Sequence, residues 1–178
     1  MNDDLSRLHQ KISQCRLCPL SGGRNLAVPG SGPRHPRILL VGEAPGREED
    51  RRGLPFVGRA GQILDDALRQ AGLARQEVFI TSVIKCRPPK NRKPRKDEID
   101  LCLPYLLHQI EILAPRIICL MGNTAALALL GRQGIASLRG RIWRDRFLVT
   151  YHPAAVLRNR NLMNEFVSDL RLAAREAE

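Results

Sequence analysis

No stretch of this 178-residue chain approaches the ~20 consecutive apolar residues that a membrane-spanning helix needs. Its first residues, MNDDLSRLHQKISQC, carry early acids and lack an apolar core of signal-peptide length. A cytoplasmic protein with no membrane partner is therefore expected. Cysteines number only five, and both the odd count and a reducing compartment argue against a disulfide framework. There is no internal repeat of fixed period and no seam where a second core could begin, so residues 1–178 are read as one domain, expected to be a monomer. Acidic residues are also scarce: 18 Asp and Glu stand against 29 Lys and Arg, a formal charge of +11. That imbalance favours a polyanionic partner. Nucleic acid is preferred to a membrane surface, because the basic residues are not gathered on one amphipathic helix beside large apolar side chains.

What is present alternates between two periodicities. The segment Arg37-Ile-Leu-Leu-Val-Gly42 is a short apolar run that passes into the turn-rich Glu43-Ala-Pro-Gly46, the pattern of a buried strand feeding a loop. From Gly58 to Ala71, the residues Ile63, Leu64, Ala67, Leu68 and Ala71 recur at helical spacing, and Gly72 stands where a helix would be capped. Strand-like runs follow at 78–84, 116–121 and 147–151. Helices are expected over about 97–113, where Pro104 should kink or break the turn, from a cap at Asn123 to Leu130, and over about 162–174. This order predicts a three-layer α/β/α sandwich around a central four-stranded, largely parallel sheet. Ligands in such sheets bind at the carboxyl ends of strands, and both Gly42-Glu43 and Tyr151-His152 fall there.

Residues 87–96 hold six Lys or Arg and three Pro. The run reads either as a solvated loop or as a semi-rigid basic strip along a phosphate backbone. On the second reading Arg87, Lys90, Arg92 and Lys93, with Arg95 and Lys96, contact DNA.

Cys15 and Cys18 form a C-x2-C pair, while Cys86 and Cys102 lie far along the chain with fifteen residues between them. Four thiolates could surround one metal centre. The arrangement departs from the two local pairs of a zinc ribbon, and an iron–sulfur cluster needs only convergent cysteines, so a [4Fe–4S] cluster is preferred, although spacing alone does not settle the metal. Cys119 sits inside an apolar strand and is assigned to the core.

Four segments then carry a family resemblance: Gly42-Glu-Ala-Pro-Gly-Arg-Glu-Glu-Asp50, Gly53-Leu-Pro-Phe-Val-Gly-Arg-Ala-Gly61, Ile84-Lys-Cys-Arg-Pro-Pro89 and Tyr151-His-Pro-Ala-Ala-Val-Leu-Arg158. With the four ligand cysteines, in this order and spacing, the chain resembles the type 4, iron–sulfur uracil-DNA glycosylases from about Cys15 to the last helix. The resemblance implies a base-excision repair enzyme that flips uracil out of single- or double-stranded DNA and hydrolyses its N-glycosidic bond. Phe56 would stack on the base, and His152 would donate a hydrogen bond to its O2 as negative charge develops there. Glu43 and the backbone of Ala44 would line the pocket beside Gly42. Leu157 would fill the gap left by the flipped base, and Arg158 would contact phosphate or groove.

Two departures qualify the resemblance. Some members of the broader superfamily carry an Asp where Ala44 stands, which assists water attack, so this chain implies a largely dissociative mechanism. Type 4 enzymes usually read the uracil edge with an Asn on the second strand, and the matching residue here is Ser82, whose hydroxyl cannot bond bidentately at a fixed orientation. Residues 87–96 contain no His, which argues against covalent trapping of DNA as in another relative. The competing readings are a non-catalytic iron–sulfur protein that binds damaged DNA, and an electron-transfer module.

Overall fold

The computed structural model describes residues 4–178. In chain order its elements are α1 (Asp4–Ser13), α2 (Leu20–Gly23), β1 (Ile38–Gly42), α3 (Arg47–Arg52), α4 (Arg59–Gln70), β2 (Val78–Ser82), α5 (Lys96–Leu113), β3 (Ile117–Met121), α6 (Asn123–Leu130), α7 (Ile135–Leu138), β4 (Ile142–Trp143), β5 (Phe147–Thr150), α8 (Pro153–Arg158) and α9 (Met163–Glu176). The sheet order is β2-β1-β3-β5-β4. Four strands run parallel, and β4 is antiparallel to β5. The α/β class and the layering hold, but the sheet has five strands rather than the expected four. The extra strand has two residues, too short to leave an alternation in the sequence.

Side chains alternate across the pleat and so build two cores. Ile38, Leu40, Val78, Ile80, Ile117 and Cys119 face α4, α8 and α9. Leu39, Val41, Phe79, Ile118, Leu120 and Val149 face α1, α5, α6 and α7. The outer edge of β2 is covered by Ser31, which exchanges both backbone hydrogen bonds with Ile80, and this removes an edge that could pair with another chain.

Two local expectations are corrected. Helix α5 runs unbroken through Pro104. Pro104 is exposed, so solvent can satisfy the carbonyl that loses its helical partner. Asn123 does not cap α6: Gly122 holds the cap position at φ +98°, and the Asn123 side chain accepts from the amide of Gly134 instead. After His152 the chain forms the short helix α8, which carries Leu157 and Arg158. Two helices carried weak signals. In α3, REEDRR, there is no apolar face, while α1 places Leu5, Leu8 and Ile12 on one buried stripe.

Candidate active site and cysteine cavity

From β1 the chain passes to β2 on one side and, later, to β3 on the other, which makes the β1/β3 boundary the switch point where an open parallel sheet forms a crevice. A cleft of about 410 Å³ opens there, within the range of small-ligand pockets. Glu43, Ala44, Phe56, Ser82 and His152 all line it, and Arg92 reaches its rim. Gly42 ends β1 beneath the cleft, opposite Ser82 in the strand register.

One hydrogen bond spans the switch point. Thr124, in the first turn of α6, donates its hydroxyl to Oε2 of Glu43 at 2.5 Å. Thr124 is 5% exposed, so the bond fixes one carboxylate oxygen from behind. Sequence reasoning missed Thr124 because a Thr in an Ala/Leu-rich helix start carries no signal of its partner 81 residues away.

The loop bearing Phe56 is held in an unusual conformation. Phe56 has φ +48°, a region that bulky residues rarely occupy. Arg75 stabilises it by donating to the carbonyls of Phe56 (3.0 Å) and Pro55 (2.6 Å) while paired with Asp65 at 2.6 Å. The ring lies over the end of β1 so closely that a Cβ on Gly42 would meet it at 2.6 Å. Glycine is required there because no side chain fits. Glu49 completes the frame: Oε2 accepts from the Gly46 amide, and Oε1 accepts from those of Val57 and Gly58. One carboxylate thus ties the start of α3 to the start of α4 and braces the Phe56 loop between them.

His152 precedes α8, and its ring centroid lies 5.6 Å from that of Phe56. Its Nδ1 accepts from the Ala154 amide at 3.0 Å, which places the proton of the neutral ring on Nε2. Although the residue as a whole is only half-buried, Nε2 is screened from solvent and has no hydrogen-bond partner among the described residues. Burial, reinforced by the nearby charge of Arg158, pushes the imidazole pKa down to about 4. The cleft therefore contains a neutral, unpartnered N–H donor at physiological pH.

Ser82 is 7% exposed at the end of β2. Beneath it lies Lys85, fully buried, whose Nζ donates to the Ser82 carbonyl, the Thr81 hydroxyl and Oε1 of Gln109. Burial lowers its pKa to about 7. A lysine in the apolar-looking stretch 83–86 gave no hint of this network, since its acceptors come from β2 and α5.

The basic strip is not uniform. Arg92 forms a two-bond pair with Glu98, at 2.6 and 2.9 Å, and Glu98 is 2% exposed. Arg87 donates to the Asn91 side chain. Lys96 pairs with Asp100. Lys90, Lys93 and Arg95 are exposed. Leu157 is half-buried and packs against the core, while Arg158 is exposed.

The four cysteines named from the sequence converge. Cys15 and Cys18 lie between α1 and α2, Cys86 follows β2, Cys102 lies on α5, and all four line one cavity that shares no lining residue with the cleft. Arg24 donates to Cys86 Sγ at 3.0 Å, and the amides of Lys85 and Leu17 approach Cys102 and Cys15 Sγ at 3.4 and 3.5 Å. Burial raises the Cys86 thiol and pushes Cys102 up to about 11. Among the described residues no three His, Cys, Asp or Glu are set to hold a single ion. Cys119 is fully buried in the sheet.

A mostly parallel sheet thus carries the Phe56 ring and a neutral imidazole side by side at its switch point, the layout of an α/β protein with its ligand crevice at the carboxyl ends of the strands. The chain belongs to the uracil DNA glycosylase superfamily, whose model matches residues 29–171. Within it the similarity is to type-4 members. The chain is 46% identical to the type-4 uracil-DNA glycosylase of Pyrobaculum aerophilum, over 94% of this chain and 91% of that protein. It is 41% identical to the type-4 enzyme of Sulfurisphaera tokodaii (95% and 83%) and 38% identical to that of Archaeoglobus fulgidus (95% and 91%). No helix among the described residues is long and apolar enough to cross a membrane.

Proposed function

We propose that this protein excises uracil from DNA as a single-domain, monomeric base-excision repair glycosylase, and that the neutral Nε2–H of His152 is the group that drives the reaction. A flipped uracil enters the cleft and stacks on Phe56. The bond between C1′ and the base nitrogen breaks, the bonding pair leaves with uracil as an anion, and water adds to C1′ and gives up a proton. Charge on uracil O2 grows only as that bond breaks, so a fixed donor without a ground-state partner stabilises the transition state selectively. This reading is supported above all by the unpartnered, solvent-screened Nε2 of His152. Ala44 has no carboxylate to activate water, so leaving-group stabilisation carries most of the catalysis. Glu43, held by Thr124, orients sugar or water with its second oxygen.

Cys15, Cys18, Cys86 and Cys102 would hold a [4Fe–4S] cluster. Four cysteines that converge on one cavity, two of them buried, without three described His, Cys, Asp or Glu set to hold a single ion, fit a polynuclear group, and such a cluster supplies a cross-link between segments that are distant in sequence. Separation of the cavity from the cleft supports a structural role. The test is a base-release assay with purified protein on oligonucleotides carrying U, hypoxanthine or xanthine, together with metal analysis. Uracil release and about four irons per chain are expected. Intact DNA after prolonged incubation overturns the glycosylase reading, and stoichiometric zinc after anaerobic purification overturns the cluster.

A further inference from the structure

We infer that Arg47 and Arg59 form a two-arginine clamp on the DNA phosphates that flank the flipped nucleotide, a role that rests on the glycosylase reading of the cleft. Both side chains line the cleft, both residues are exposed, and among the described residues neither side chain has a hydrogen-bond or ion-pair partner. They are the first residues of α3 and α4, and the Glu49 carboxylate that bonds the Gly46, Val57 and Gly58 amides holds those two helix starts on one rim. Because Glu49 already occupies these amides, the guanidinium groups are the donors left for a ligand.

Among the described residues, no acid forms an ion pair with either arginine. Glu48 is paired with Arg51 at 2.7 Å, Asp50 is buried and accepts from Asn25, and Glu43 accepts from Thr124. An independent observation points into the same cleft: the unpartnered Nε2 of His152 marks where the base would sit. A base at that depth leaves its own sugar–phosphate backbone at the rim, where two planar guanidinium groups match phosphate geometry. By contrast, Arg92 on the basic strip is already committed to Glu98.

The experiment measures binding to a duplex with a tetrahydrofuran abasic site, which needs no cleavage, by fluorescence anisotropy from 50 to 300 mM salt. R47Q and R59Q should each lower the slope of log Kd against log salt by about 0.9, and the double variant by about twice that. R116Q, altered at the opposite end of the sheet, should leave the slope unchanged. Methylphosphonates at the two flanking phosphates should weaken wild-type binding at least tenfold and the double variant less than twofold. An unchanged slope in the double variant, with its Tm intact, overturns the clamp. An equal methylphosphonate penalty in both proteins also overturns it, by moving the arginines to other phosphates. A wild type that binds this DNA but releases no uracil overturns the glycosylase reading and leaves the clamp data standing.

Discussion

The amide of Ala154 donates to Nδ1 of His152 at 3.0 Å, so the ring can keep this bond only while Nδ1 is unprotonated. Burial and Arg158 lower the ring pKa to about 4, against about 6.5 in an unfolded chain. Between these values the unfolded chain binds a proton that the folded one refuses. The stability contributed by the neutral ring is therefore complete above pH ~6.5 and is lost as pH falls toward 4. Nitrogen-detected NMR of the ring should show the Nε2–H tautomer at pH 6 and protonation near pH 4. A midpoint near 6.5 contradicts this assignment.

Removing that donor should separate chemistry from binding. His152→Ala should slow single-turnover uracil release by ~10²–10³ with little change in DNA affinity. His152→Gln keeps an N–H donor in the cleft and should recover part of the loss. Equal rates for His152→Ala and wild type would falsify the role in leaving-group stabilisation.

Both the parallel strands and the pocket residues at their ends were legible in the sequence, because short apolar runs ending in Gly42 or at Tyr151 carry their own periodicity. The cysteine set was legible too, as a C-x2-C pair with two distant cysteines, three of the four in loop-like sequence and Cys102 on α5. What could not be read were partnerships set by topology. Thr124 meets Glu43 only because β3 lies beside β1, and Lys85 finds its acceptors only after α5 packs on β2. Arg92 illustrates the same limit with the opposite sign. Composition made it one cation among six, whereas folding pairs it with Glu98.

Thr124 should matter through Glu43. Thr124→Val keeps the shape but removes the hydroxyl, freeing the carboxylate to rotate. Loss of a hydrogen bond to a charged group corresponds to a ~10–100-fold fall in kcat. DNA affinity should hold, and Thr124→Ser should restore most of the rate. If Val and Ser variants behave alike, Thr124 serves packing only.

Ser82 lies opposite Gly42, and its Oγ would stand 3.2 Å from a Cβ at that position. Its hydroxyl would read a base edge through one rotatable group. Ser82→Asn supplies an amide with a donor and an acceptor at fixed spacing, so the ratio of uracil release to hypoxanthine or xanthine release should rise. The comparison is of kcat/KM values on otherwise identical oligonucleotides. An unchanged ratio means that Ser82 does not contact the base.

Arg92 and Lys93 are neighbours in a basic run, yet one is paired with Glu98 and the other is exposed. Glu98 is nearly inaccessible and is held ionised, below the usual carboxylate range, chiefly by its hydrogen bonds from Arg92. Arg92→Gln leaves that carboxylate without its cation, so Tm should fall by roughly 3–8 °C near neutral pH. Because the Glu98 pKa is depressed in the folded state, the ion pair stabilises fully above pH ~4.3 and its contribution is lost as pH drops through the folded value. The Tm gap between wild type and Arg92→Gln should therefore narrow in acid. Lys93 is exposed, so Lys93→Gln should leave Tm within a degree and instead lower the salt slope of DNA binding by about 0.9. The reverse pattern, with Lys93→Gln unfolding early and Arg92→Gln altering only the salt slope, would show that Arg92 is the phosphate contact and that its bond to Glu98 is broken when DNA binds.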